Sequence, residues 1–145
     1  MKAQVLFESR TGNTKRAAEL IATSLAELGV EVGVTPVGVP DLEAIAAADI
    51  VFIGTWVDGL VIAGHRPGDS RKLKRIPALW GKPVGAFMTY AIHPGNAINK
   101  LAKLLEKNQH CDVVASHAFK KSLLPGGVDN FVEEALGAIG AEIKP

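Results

Sequence analysis

Ser9-Arg10-Thr11-Gly12-Asn13-Thr14 decides how this chain is read, because of what stands on either side of it. Ahead of it, Ala3-Gln4-Val5-Leu6-Phe7 is a short apolar run of the kind that forms a buried strand. Behind it, Ala17, Ala18, Ile21, Ala22, Leu25 and Leu28 recur at helical spacing, and Gly29 follows as a C-cap. A hydroxyl-rich loop therefore leaves a strand and runs straight into a helix. Free N–H groups of the first helical turn and the positive end of the dipole converge at such a corner, which suits an anion. Ser9, Thr11, Asn13 and Thr14 add side-chain donors there, more than a single N-cap needs. These residues predict a phosphate site.

The loop lacks the Gly-Lys-Ser/Thr ending that cradles a nucleoside triphosphate, and it lacks the three-glycine fingerprint of dinucleotide sites. A monophosphate ester held by hydroxyls and amides fits what remains. Ser-x-Thr-Gly-Asn-Thr after a first strand resembles the phosphate loop of the flavodoxins, which bind FMN. That resemblance implies an α/β fold, a doubly wound five-stranded parallel sheet in the order 2-1-3-4-5 with helices on both faces. It also implies FMN as cofactor, with Ser9, Arg10, Thr11, Gly12, Asn13 and Thr14 around its phosphate.

The remaining sequence alternates strand and helix in one domain of 145 residues, and 48% hydrophobic content is ample for a packed core. Glu31 to Thr35 alternates and stops at Pro36, as an edge strand does, and Asp41 caps a short helix through Ala47. Ile50-Val51-Phe52-Ile53 marks a strand covered on both faces, followed by a long loop and a short helix near Asp69 to Arg75. Val84 to Met88 and Val113 to Phe119 are the last strands, and helices are expected over Asn96 to Lys107 and from Val128 to Ile139. Strict alternation implies a parallel sheet, whose ligands sit at the carboxyl ends of the strands.

Two of those ends carry further candidates. Thr55, Trp56, Val57, Asp58 and Gly59 follow the third strand, and Trp56 stands where flavodoxins often place a tryptophan against the flavin. Asp58-Gly59 is a turn signal. In the family a glycine commonly follows the stacking residue, and one peptide there flips when flavin N5 is protonated. Val57 holds that slot here, so the flip is expected to be displaced or lost. Thr89, Tyr90, Ala91 and His93 follow the fourth strand, where the resemblance implies a second flavin loop with Tyr90 or His93 on the outer face. Trp80, between Leu79 and Gly81, is expected to pack rather than to touch a cofactor.

Charge and composition bound the function. Cys111 is the one cysteine, which excludes an internal disulfide and a cysteine-based metal centre and fits a cytoplasmic setting. His65, His93, His110 and His117 lack ligand spacing. Formal net charge is +1, no long apolar span occurs, and neither nucleic acid nor membrane is expected as a partner. Yet His65, Arg66, Arg71, Lys72, Lys74 and Arg75 cluster after the third strand, whereas flavodoxins are typically acidic. Positive charge within about 10 Å of the ring favours its anionic reduced form. The expectation is a less negative potential and redox partner proteins with an acidic docking surface, the chain itself being a monomer or weak homodimer. A small FMN-dependent NAD(P)H, quinone or flavin reductase is the alternative. Asp58, Thr89 and Lys120 also mimic the trio of a phosphoacceptor receiver domain, but such a domain needs paired acids after its first strand and only Glu8 stands there.

Overall fold

A computed structural model describes residues 1–58, 66–68 and 70–141 of the chain. Its strands are β1 (Lys2–Phe7), β2 (Glu31–Pro36), β3 (Ile50–Asp58), β4 (Arg66–Pro67), β5 (Pro83–Tyr90) and β6 (Asp112–Lys120). Its helices are α1 (Asn13–Glu27), α2 (Leu42–Ala47), α3 (Ser70–Leu73), α4 (Ala97–Gln109) and α5 (Val128–Ala138), with a 3-10 turn at Lys121–Leu123. The sheet runs β2-β1-β3-β5-β6, all parallel, which is the expected 2-1-3-4-5 order once the two-residue β4 is set aside.

Alternation along each strand sorts the core into two layers. Ala3, Val5 and Phe7 of β1, with Ile50 and Phe52 of β3, face α1 and α5. Leu6, Val51 and Ile53 point the other way, toward α2, α3 and α4. Ser24 of α1 donates to the Asp129 carboxylate of α5 at 2.8 Å, tying the two helices of one layer together. Asp41 caps α2 by accepting the Ala44 N–H at 3.0 Å. Cys111 is buried, and burial together with the Glu106 charge pushes its thiol up to about 11, so it stays protonated near neutrality.

Three expectations are corrected. The third strand does not end near Ile53; it runs to Asp58 and is met by the antiparallel β4, with Val57 opposite Pro67 and Asp58 opposite Arg66. Asp58 is therefore the last residue of a strand, and the Asp58-Gly59 turn and His65 lie outside the described residues. The short helix before β5 is a single turn, Ser70–Leu73. Trp80 does not pack into the interior: it is 80% exposed, and its ring stacks on that of His110 with centroids 5.3 Å apart. Its left-handed φ of 46°, followed by Gly81 at 82°, throws the indole outward while Leu79 keeps the buried position.

Candidate functional site

The loop after β1 is shaped by one backbone constraint. Gly12 takes φ 93° just before α1, a conformation in which a side chain is strained. Gly12 has no side chain with which to cap the helix, so the N–H groups of Asn13 and Thr14 are left for something outside it. Ser9 braces the loop from within: its Oγ accepts the Gly12 N–H at 3.0 Å and, more loosely, that of Lys15 at 3.4 Å. Asn13 donates from its amide to Thr11 Oγ1 at 2.9 Å, which leaves the Thr11 hydroxyl hydrogen for another acceptor. Thr14 is buried, and its Oγ1 lies 2.8 Å from Thr89 Oγ1 at the end of β5. One of these two hydroxyls must donate to the other, so the pair retains a single hydrogen for a ligand.

Across the loop lies the end of β3. Trp56 is half-buried and sits opposite Thr89 in the β3–β5 register. Thr55 is fully buried and spends its hydroxyl on the Gly68 carbonyl at 2.7 Å. The Gly68 N–H in turn donates to the Trp56 carbonyl at 2.8 Å.

A cavity of about 230 Å³ opens where these elements meet, and its walls are Arg10, Thr11, Asn13, Thr14, Trp56, Val57, Thr89, Tyr90, Ala91 and Lys121. The carboxyl ends of β3, β5 and β6 and the loop after β1 thus converge on one space. Ser9 and Gly12 border a different, larger cavity of about 560 Å³ on the β2 side, with Phe7, Glu8, Lys15 and Glu19. His93 is exposed and does not line the first cavity; its Nδ1 accepts the Gly95 N–H at 3.4 Å. Thr55 does not line it either. Lys121 is the wall residue that sequence reasoning passed over. The Lys120-Lys121 pair at the end of the last strand was its available signal, since strand ends build such sites.

The wall carries two cations, Arg10 and Lys121, and no acid among its described lining residues. Apart from this wall, Lys72 of α3 reaches the start of the loop, where its Nζ pairs with Glu8 Oε1 at 3.3 Å beside the other cavity. Hydroxyls and an amide at a helix start, two flat rings and cationic walls suit a phosphorylated, planar, electron-accepting ligand.

Comparison with known proteins bears on the same point. The flavodoxin domain family matches residues 4–135. Solved structures that resemble the fold include the two-electron reduced flavodoxin of Megasphaera elsdenii, 19% identical, with TM-score 0.72 over 96% of this chain and 99% of that one. The Streptococcus pneumoniae flavodoxin is also 19% identical, with TM-score 0.70 over 97% of this chain and 98% of that one. A flavodoxin from the domain Archaea is 21% identical, with TM-score 0.65 and 97% of both chains covered. No curated protein sequence matches the chain.

Proposed function

The chain belongs to the flavodoxin family, and from that membership we propose that it carries electrons between partner proteins on FMN held in the cavity between the β1 loop, Trp56 and Tyr90. Flavodoxins bind FMN, and the donor set of this cavity fits that cofactor. The observation that carries the reading is the convergence of Thr11, Asn13 and Thr14 with two flat rings in one cavity.

FMN would supply the one- and two-electron chemistry when bound, and the side chains would set its position and surroundings. Thr11, Asn13, Thr14 and the first amides of α1 would hold the phosphate. Trp56 and Tyr90 would flank the ring, and Thr89 would orient the Thr14 hydroxyl. Purified protein should be yellow and should release FMN rather than FAD on denaturation. A colourless protein that does not take up added FMN would refute the reading. Substantial NADH oxidation with a quinone, in the absence of any partner protein, would instead make the chain a stand-alone reductase. No helix among the described residues is long and apolar enough to cross a membrane.

The cationic walls bear on the class of partner. Arg10 and Lys121 favour negative charge at this edge, in a reduced ring as in an approaching surface. Two small outer-sphere oxidants of opposite charge test this. Ferricyanide should oxidise the reduced protein faster as salt is lowered, and hexaamminecobalt(III) more slowly. The opposite pair of salt slopes would contradict an acidic partner surface.

A further inference from the structure

Trp56 owes its position to a segment far from any motif in the sequence. The fused edge of the indole lies on the backbone of Gly68: a Cβ built there would fall on Cε2 and Cδ2 and stand 2.5 Å from Nε1. Gly68 is buried and anchored on both sides, its N–H on the Trp56 carbonyl at 2.8 Å and its carbonyl on the Thr55 hydroxyl at 2.7 Å. Just before it, Pro67 and Arg66 pair with Val57 and Asp58. Trp56 meets Gly68 and also lines the cavity, whose walls do not include Gly68.

We propose that the return segment Arg66–Gly68 is a strut that sets how far the Trp56 indole reaches into the cavity, with Gly68 as the positioning residue. The inference rests on the reading of that cavity as a flavin site. The absence of a side chain at Gly68 lets the indole lie back; any Cβ drives the ring toward the space a flavin needs. Four hydrogen-bonded or paired positions on β3, Thr55 to Asp58, hold the strut, so it cannot retreat without breaking that ladder.

Flavin fluorescence titration of the full chain with FMN and with riboflavin tests this. Gly68→Ala should weaken both flavins by a similar factor, about tenfold, because both carry the ring. In a Trp56→Leu background the same substitution should cost less than about twofold, since no indole remains to be struck. Thr55→Val, which removes one anchor and adds no bulk, should weaken both flavins in the same direction and by less. It decides the matter if Gly68→Ala does not fold. Wild-type affinity for both flavins in Gly68→Ala, an equal loss with Leu at position 56, or a loss confined to FMN would each overturn the strut. Wild-type protein that binds neither flavin would overturn the flavin reading and the strut with it.

Discussion

Replacing Thr11 and Thr14 together by valine is expected to cost the chain most of its FMN while leaving its affinity for riboflavin nearly unchanged. The Thr11 hydroxyl already accepts from Asn13, so its hydrogen is the part directed at a phosphate oxygen. The Thr14 hydroxyl shares one remaining hydrogen with Thr89. Each phosphate oxygen left unpaired costs about 1–3 kcal/mol, so the double variant should lose at least about 30-fold in affinity. Riboflavin lacks the phosphate and serves as the control for any general disturbance of the fold. Equal losses for the two flavins would mean that these hydroxyls support the loop rather than the ligand. Unchanged affinity for FMN would remove the phosphate assignment altogether.

Phe52→Ala is expected to be the most destabilising single truncation in the sheet. Phe52 is fully buried in β3 and meets Phe131 of α5 edge to face, with centroids 5.7 Å apart. Its ring fills the space left by Gly85 on β5, where a Cβ would come within 2.6 Å of it. Removing the ring loses its burial and opens a cavity between sheet and helix, at about 3–5 kcal/mol. Against a total stability of about 5–15 kcal/mol, that should lower the melting temperature by roughly 10–16 °C. Urea denaturation of the two proteins side by side measures it. A loss below about 1 kcal/mol would show that α5 closes over the gap. The β3 residues of the cavity wall, Trp56 and Val57, lie at least four positions along the strand, so flavin binding well below the transition should survive.

Why the core was legible in the residues and parts of the site were not follows from the range of the forces involved. A continuous apolar run such as Ile50 to Ile53, or the helical spacing from Ala17 to Leu25, reflects burial that every residue of the run feels, so the pattern is written locally. The loop after β1 is equally local, since the helix start, Gly12 and the hydroxyls lie within six residues. Trp80 misled because a large apolar side chain is ordinarily buried, whereas a left-handed backbone at that residue turned it to solvent.

The order of strands and helices, the parallel sheet and the strand–loop–helix corner were thus determined by the sequence alone, through periodicity and the composition of one short loop. Tertiary structure alone decided which distant groups meet. It joined Thr14 to Thr89 across 75 positions, laid Gly68 beneath the Trp56 indole, brought Lys121 to the cavity wall and turned His93 away from it. Such encounters depend on the register of strands against one another and on the path of connecting segments. That register is a property of the whole packed sheet, and no stretch of residues carries it by itself.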